Sequence, residues 1–317
     1  MNKIEIRNCG TYKYIIHTYE GENINMRDAV EDAVRKGVNL NGANLFESNL
    51  KGAYLENANL EGADLRGADL RGVNLRGANL RKTDLEDADI SDADLSYAHL
   101  FDANLGYANL ENAILRGANF LYANLENANL ISVNLYRAKL ENAKLKGTNL
   151  FDANLRGAFL RGADLYHANL EDAILIGADL RQANLKKANL EGANLRNTNI
   201  GDAKEIPYIP FVCPSDGAFI GWKKVDVHLI KLEIPEDAKR CSSTSNKCRC
   251  DKAKVLEITN LITNKHVSTI ANSSYYRTAV TYVVGEMVYP DSYDEDRWNE
   301  CSHGIHFFIN KQDAINY

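Results

Sequence analysis

The sequence predicts a mainly β fold, in which a long solenoid is followed by a smaller β-rich α+β domain. Three observations lead to this prediction. From Leu40 to Ile200, every fifth residue is Leu, Ile or Phe without a slip. The residue two positions earlier is small, usually Ala, and an Asn or Asp mostly stands between the two. All five prolines and both tryptophans lie after residue 206, so the composition of the chain changes near residue 204.

The five-residue period explains why a solenoid is expected. It matches neither the 3.6 residues of a helical turn nor the period of 2 of a strand. Each unit must therefore be a short extended segment followed by a turn. The large residue and the small one two before it then share a side, and Asn or Asp suits the turn. One unit cannot bury its own Leu, so stacked units must supply the core.

The repeated unit, Ala-(Asn/Asp)-Leu with two variable residues, closely resembles that of the pentapeptide-repeat family over residues 38–203. The resemblance implies a right-handed quadrilateral β-helix with four pentapeptides in each coil. Residues n and n+20 would then stack about 4.8 Å apart, which is the spacing of paired strands. The repeats would make about eight coils and a rod roughly 40 Å long.

Residues 1–37 are predicted to cover the first coil, because an open solenoid end would pair with other chains. Residues 3–8 and 12–18 alternate in polarity like the strands of a hairpin. A helix is expected over 26–36, with Asn25 as its N-cap and Gly37 after its end. Its apolar side chains would pack on the first layer of Leu residues.

Residues 204–317 are predicted to form the α+β domain, with a short helix after Asn310. Four candidate strands are read from the sequence: 225–234, 254–262, 279–289 and 305–309. Four segments resemble those of a C-terminal domain of undefined function found in some pentapeptide-repeat proteins: 217–224, 234–240, 294–301 and 304–308. That resemblance implies a domain but not an activity.

Charge and composition limit the classes of function. The chain has 37 basic and 43 acidic residues and a net charge of −6, which does not favour direct nucleic-acid binding. No stretch approaches the roughly 18 continuous apolar residues of a membrane span. The first residues lack the apolar core of a signal peptide. A cytoplasmic protein with reduced cysteines is therefore expected.

Charged residues cluster along the predicted rod. Arg66, Arg71, Arg76 and Arg81 would place one arginine on each of its four faces. The stretch from 84 to 111 then contains no Lys or Arg and would form an acidic belt. The candidate partner-binding acids of this belt are Asp84, Glu86, Asp87, Asp89, Asp92 and Asp94. The belt either keeps the rod soluble or serves as an electrostatic docking surface.

Four apolar residues at outward positions are further candidates for partner binding. Phe101 and Leu121 lie four pentapeptides apart, as do Ile131 and Phe151, so each pair should stack on one face. Other apolar residues at outward positions are Tyr54, Tyr97, Tyr107, Ile114, Tyr122, Tyr136 and Ile174. A stacked cluster would indicate an interface, whereas drift within the repeat or packing along the strands would leave no binding site.

The C-terminal domain offers a weak pattern for chemistry. Its candidate zinc ligands are Cys241, Cys248, Cys250, Cys301, His303 and His306, which lack the CxxC spacing of common zinc sites. Reduced structural thiols are the alternative. Cys301 with a nearby histidine also fits a nucleophile, but such local patterns mean little without spatial proximity. No catalytic residue, cofactor or metal is assigned.

The sequence therefore favours a non-enzymatic protein-binding or structural scaffold whose protein partner is unknown. Two alternatives stay open. One is a DNA mimic that modulates a type II topoisomerase such as gyrase, as the resemblance implies for acidic relatives, although the arginines here interrupt the acidic pattern. The other is an enzyme activity in the C-terminal domain. A homodimer also stays open.

Overall fold

The computed structural model describes residues 2–11, 13–207, 213–214, 216–242, 247–272, 280–295 and 302–317. The chain divides into two compact units. The first comprises Met1–Asn194 and Thr198–Tyr208, and the second comprises Leu195–Asn197 and Ile209–Tyr317. Within the described ranges, no helix is both long enough and apolar enough to span a membrane.

The five-residue repeat forms a β-helix with four columns of short strands. From Asn44 onward, the residue before each central Leu pairs in parallel with its equivalent four pentapeptides later, as Asn44 does with Asp64 and Asp64 with Asp84. Backbone bonds follow the same columns, and the Leu65 N–H donates to the Asp84 carbonyl at 2.7 Å. Each coil therefore holds four pentapeptides, which confirms this part of the prediction, while the handedness of the coil stays a prediction.

The interior of the rod contains the central apolar residue and the small residue of every unit. The Leu positions are fully buried, as at Leu85 and Leu105, and Phe120 occupies one of them without any exposure. Thr replaces Ala at three inner positions, and each hydroxyl donates to a carbonyl one coil earlier. These bonds, of 2.8 to 2.9 Å, join Thr83 to Leu60, Thr148 to Leu125 and Thr198 to Leu175. They satisfy polar groups that the apolar interior would otherwise leave unpaired.

Each strand column forms one face of the rod, and we name the faces after the Leu of their first pentapeptide: the Leu40, Leu45, Leu50 and Leu55 faces. Members of a face recur once in each coil, so Leu60 and Leu80 belong to the Leu40 face. On every face, the residue before the Leu points outward from the strand. The two residues after the Leu form the corner turn that leads to the next face.

An antiparallel hairpin of β1 (Asn2–Arg7) and β2 (Ile15–Gly21) precedes the rod. The second strand begins at Ile15 and not at residue 12 as predicted. The reason lies in Asn8, which pairs with Ala43 of the first coil and whose Oδ1 accepts the Tyr14 N–H at 2.8 Å. The hairpin loop is therefore longer than the predicted turn at 8–11, and it joins the hairpin to the rod.

Helix α1 (Met26–Arg35) follows the hairpin, with Asn25 as its N-cap and Gly37 in the left-handed conformation after its end, as predicted. The helix buries Ala29, Val30 and Ala33. It also buries Asp32, whose carboxylate contacts three cationic or potentially cationic groups: Lys36 Nζ at 2.7 Å, Arg35 Nη2 at 2.8 Å and His17 Nε2 at 2.9 Å. The hydrogen bond from Lys36 is the largest cause that holds the pKa of Asp32 well below its usual range.

The second unit is built on an antiparallel sheet. Its strands in chain order are β3 (Phe219–Val225), β4 (His228–Ile234), β5 (Arg240–Ser242), β6 (Lys247–Cys250), β7 (Ala253–Asn260), β8 (Thr269–Asn272), β9 (Val280–Val283), β10 (Met287–Val288) and β11 (Ile305–Phe308). Seven of them form one sheet in the order β10-β7-β4-β3-β11-β6-β5, and β8 and β9 form a separate two-stranded sheet. The prediction of a β-rich domain is confirmed, and the structure shows that the strands of its sheet are antiparallel.

Several predicted strands of this unit differ from those observed. The segment 225–234 is not one strand, because Val225 pairs with His228 across a tight turn and the residues before the turn form β3. The segment 279–289 contains β9 and β10, separated by a turn at Gly285, and residue 279 lies outside the described residues. Strands β5, β6 and β8 are short and were not predicted. Helix α2 (Lys311–Asn316) follows Asn310 as expected.

The sheet of the second unit carries apolar residues on both faces. One face holds the larger core, which includes Ile230, Leu232, Val255 and Phe307. Leu229, Phe308 and Ala314 form a smaller cluster, with Trp222 packed against it. Because Ala314 belongs to α2, this helix covers the second face.

Candidate partner-binding surface

The outward side chains of the rod are held in place by a repeated turn. The Asn or Asp before each Leu accepts the N–H of the residue after the Leu, as Asp69 Oδ1 does from Arg71 at 3.3 Å. Many of these Asn side chains also donate to the equivalent residue one coil earlier, as Asn79 does to Asn59 at 2.9 Å. These bonds explain why Asn and Asp dominate this position, and they leave the two corner residues free to vary.

The predicted acidic belt contains acids in two different environments. Asp84 and Asp89 lie within the strands, where they accept from the Asn104 and Asn109 amides at 2.9 and 3.1 Å. Asp84 also lies 3.5 Å from the Arg66 Nε, and Asp89 lies 3.8 Å from the Arg71 Nε.

The other acids of the belt lie at different positions around the coil. Asp87 and Asp92 are exposed at two corners, whereas Asp94 accepts the Ser96 N–H at 2.8 Å and Glu86 accepts the Asn104 amide at 3.3 Å. The belt therefore surrounds the rod, and its acids do not form one stripe.

The four predicted apolar candidates are half-buried and occupy two faces. Phe101 and Leu121 lie at the corner after the Leu40 face, and Ile131 and Phe151 lie at the corner after the Leu50 face. The Phe101 ring contacts the Tyr122 ring at 5.8 Å, and the Arg81 guanidinium lies 5.0 Å from its centroid. Part of their apolar surface is thus covered by neighbours within the rod.

Three tyrosines are more exposed than these candidates. Tyr97, Tyr107 and Tyr122 are 50%, 61% and 51% exposed. All three occupy the second corner residue, where the backbone is left-handed, with φ of 61°, 58° and 61°. Most other corners place Gly, Asn or Asp there, which adopt this conformation readily. The sequence signal for these sites is a bulky residue at a position that the repeat usually reserves for Gly, Asn or Asp.

The cysteines and histidines of the second unit are divided between the two faces of its sheet. The strand register places Cys241 and His306 beside Arg249, and places Cys248 and Cys250 one residue away, on the opposite face. The split arises because neighbouring residues of a strand alternate faces. His303 is exposed and lies 3.6 Å from Asp291. Cys301 lies outside the described residues.

Two of these thiols are held in their protonated form. The hydrogen bond with Cys213 and burial raise the pKa of Cys248, and burial raises the pKa of Cys250. Zinc binds thiolates and nucleophilic cysteines react as thiolates, so this environment favours structural thiols. In the part of the chain that the structure describes, no three His, Cys, Asp or Glu side chains are grouped closely enough to hold a metal.

Comparison with known families assigns the two halves of the chain separately. The profile for pentapeptide repeats (8 copies) matches overlapping segments that run from residue 36 to residue 202. The chain belongs to the pentapeptide-repeat family. Downstream of the pentapeptide repeats, residues 209–314 match a family of unknown function, DUF5758.

Solved pentapeptide-repeat structures are similar to this pentapeptide-repeat protein over parts of its length. HetL, a pentapeptide repeat protein involved in heterocyst differentiation regulation from the cyanobacterium Nostoc sp. strain PCC 7120, is 29% identical over 57% of this chain and 97% of its own, with a TM-score of 0.37. QnrB1, a plasmid-mediated fluoroquinolone resistance protein, is 19% identical over 50% of this chain and 90% of its own, with a TM-score of 0.39.

A further pentapeptide repeat protein from Nostoc is 49% identical over 24% of this chain and 62% of its own, with a TM-score of 0.24. No curated protein sequence matches the chain.

Proposed function

We propose that this pentapeptide-repeat protein is a non-enzymatic scaffold that binds a protein partner through side chains on its rod. The observation that carries the proposal is the set of three exposed tyrosines, Tyr97, Tyr107 and Tyr122, at left-handed corners. A non-glycine residue in this conformation costs about 1 kcal/mol or more. Strained, exposed aromatic residues on a rigid frame are more typical of recognition than of folding.

This proposal predicts opposite effects on stability and on binding. Replacing the three tyrosines with Asn, which tolerates the left-handed conformation, is expected to raise the free energy of unfolding of the rod by about 1 kcal/mol or more. Urea unfolding followed by circular dichroism measures this change. The same variant is expected to lose its partner when the immobilised full chain is incubated with extract of the organism that makes it and bound proteins are quantified by mass spectrometry.

A matched control uses bulky residues at equivalent corners: His167, Gln182 and Lys187, with φ of 57°, 61° and 60°. Changing these three to Asn should give a similar gain in stability but should leave the partner bound. A fall in stability of the tyrosine variant would assign the tyrosines to packing. Retention of every captured protein by that variant would place recognition elsewhere.

A DNA mimic is the second candidate function, and the distribution of charge on the Leu50 face favours it. Outward and corner positions of this face carry Asp69, Asp89, Asp92, Glu111, Asp152, Glu171, Asp172 and Glu191, against Lys51 and Arg71. These acids follow the long axis of the rod, and an array of carboxylates along a rod could replace the phosphates of a DNA strand in a topoisomerase site.

A gyrase supercoiling assay with the full chain tests the second candidate. Inhibition is expected at protein concentrations above that of the enzyme, and it should weaken when Asp92, Asp152 and Asp172 become Asn. A control variant changes Asp87 and Asp102, exposed corner acids that follow other faces, and should inhibit like the unmodified chain. Absence of inhibition by the unmodified chain would remove this candidate.

A further inference from the structure

Six of the ten arginines of the rod form two groups of three, which differ in the residue two positions earlier. Arg66, Arg71 and Arg181 each follow an Asp-Leu pair, and each makes two side-chain hydrogen bonds with that Asp, of 2.6 to 2.9 Å. Their charges are therefore neutralised within their own pentapeptides. In each case the Asp two positions before the arginine makes the shortest ion pair with it.

A second group of arginines follows a residue that is not acidic. Arg76, Arg116 and Arg156 come two positions after Asn74, Ile114 and Asn154, and all three are exposed. Within the rod, which the structure describes in full, none of the three has a carboxylate within ion-pair distance. Arg76 instead lies over the Tyr97 ring at 5.9 Å, and Arg116 lies over the Tyr136 ring at 5.1 Å.

These three arginines lie on one face at a regular interval. All belong to the Leu55 face, and each lies two coils from the next, because the strand pairing brings every residue back to the same face after four pentapeptides. With strands about 4.8 Å apart, neighbouring arginines are separated by about 9.6 Å along the rod, and the outer two by about 19 Å.

Apolar side chains lie between and beside these charges. Tyr136 lies in the coil between Arg116 and Arg156, and in the strand column of the same face Tyr54, Ile114 and Ile174 are 70%, 43% and 37% exposed. Most other residues of that column are Asn or Asp. The Leu55 face thus combines uncompensated arginines with exposed apolar surface, a composition typical of binding surfaces.

We propose that the Leu55 face binds a protein segment in the polyproline II conformation that presents a carboxylate at every third residue, with apolar residues between. The proposal rests on the scaffold function proposed above and names a surface and a class of partner for it. Each carboxylate would accept from one of Arg76, Arg116 and Arg156, and the intervening residues would contact the exposed isoleucines and tyrosines.

The spacing of the arginines selects this conformation. A polyproline II helix repeats every 3 residues and about 9.3 Å, so 6 residues span about 18.6 Å, close to the 19 Å between Arg76 and Arg156. A β-strand alternates faces, so residues three apart point in opposite directions. In an α-helix the nearest repeat is 7 residues, or about 10.5 Å, and the mismatch grows to about 2 Å over two intervals. Aromatic surfaces are also the usual sites for polyproline II segments.

Charge on the neighbouring face argues for a protein segment over a nucleic acid. The acidic Leu50 face adjoins the Leu55 face in each coil, and charges within the Debye length of about 8 Å at physiological salt are only partly screened. A nucleic acid carries a charge on every nucleotide and would be repelled by those acids. A peptide with separated carboxylates meets mainly the arginines, and its apolar residues fit the isoleucines.

The experiment measures binding of a fluorescein-labelled peptide with four Glu-Pro-Ile repeats to the full chain by fluorescence anisotropy. We expect saturable binding, and a loss of about tenfold or more when Arg76, Arg116 and Arg156 are changed to Gln, since charge-assisted contacts are lost. A matched control changes Arg66, Arg71 and Arg181 to Gln. It removes the same charge from the same position of the repeat, and it should retain binding within about twofold.

Two further probes give the proposal clear ways to fail. A peptide of the same composition with its glutamates adjacent should bind at least about tenfold more weakly, and equal binding would overturn the spacing argument. A single-stranded oligothymidine that binds through the same three arginines more tightly than the peptide would assign the face to nucleic acid.

Absence of peptide binding at millimolar concentration would reject the proposal for this face. The tyrosine-dependent capture described above would still stand, so that failure is distinguishable from failure of the scaffold function. Circular dichroism of both arginine variants confirms that the exposed substitutions leave the rod folded.

Discussion

Replacing Phe120 with Ala is expected to lower the free energy of unfolding of the rod by about 3–5 kcal/mol. Phe120 occupies a Leu position at the centre of the β-helix and has no exposed surface. Phe120 stands between Leu100 and Leu140 of the adjacent coils in its column, and backbone hydrogen bonds between the coils hold these strands in place. The coils therefore cannot close around the cavity, so most of the transfer and packing energy is lost.

Two optical signals separate the effect on the rod from effects elsewhere. Both tryptophans, Trp222 and Trp298, come after the repeats, so tryptophan fluorescence follows the second unit, while circular dichroism during urea unfolding also reports the rod. Changing Phe120 to Leu restores the usual residue and should cost less than about 1.5 kcal/mol. A loss below about 1 kcal/mol in the alanine variant would contradict the description of a rigid interior.

Replacing Gly221 with Ala is expected to destabilise the second unit by about 1–3 kcal/mol. Gly221 lies in β3, and a Cβ atom there would lie 2.6 Å from the Phe307 Cδ2. Phe307 is fully buried in the larger core of the sheet, so its ring cannot move away without displacing other core residues. The loss should appear as a lower midpoint of the tryptophan-fluorescence transition in urea.

A double-mutant cycle tests whether this contact is the cause. Phe307→Leu alone removes buried ring atoms and should also destabilise the unit by about 1 kcal/mol or more. Combined with Gly221→Ala, it should cost less than the sum of the two single changes, because the smaller side chain makes room for the new methyl group. Strict additivity would mean that β3 fails for a reason other than crowding against Phe307.

The repeat made the rod predictable, whereas the second unit was predictable only in outline. A strict five-residue period fixes which residues turn inward, and the pairing of Asn44 with Asp64 gives the four columns that the family resemblance implied. In the second unit no period constrains the strand ends. The tight turn between Val225 and His228 contains no Gly or Pro, and the left-handed Asp226 is the only turn-forming residue that divides β3 from β4.

The candidate surfaces were predictable by position but not by environment. The sequence identifies outward residues, yet it assigns Asp84 and Asp87 equal weight, although one lies near Arg66 and the other is exposed at a corner. The same holds for the arginines, which the sequence presents as one group around the four faces. Their pairing depends on the residue two positions earlier and on the atoms of adjacent coils, and this dependence becomes visible only when the coils are stacked.

The four-column coil also has a consequence for how such a chain can change in length. Deleting or duplicating four consecutive pentapeptides removes or adds one complete coil and leaves every later side chain on its original face. Adding a single pentapeptide keeps the Leu interior intact but moves every later residue to the next face. The acidic residues of the Leu50 face would then continue on the Leu55 face. During evolution, related proteins should therefore tolerate the gain or loss of whole coils. The gain or loss of a single pentapeptide would change the face on which every later surface side chain lies.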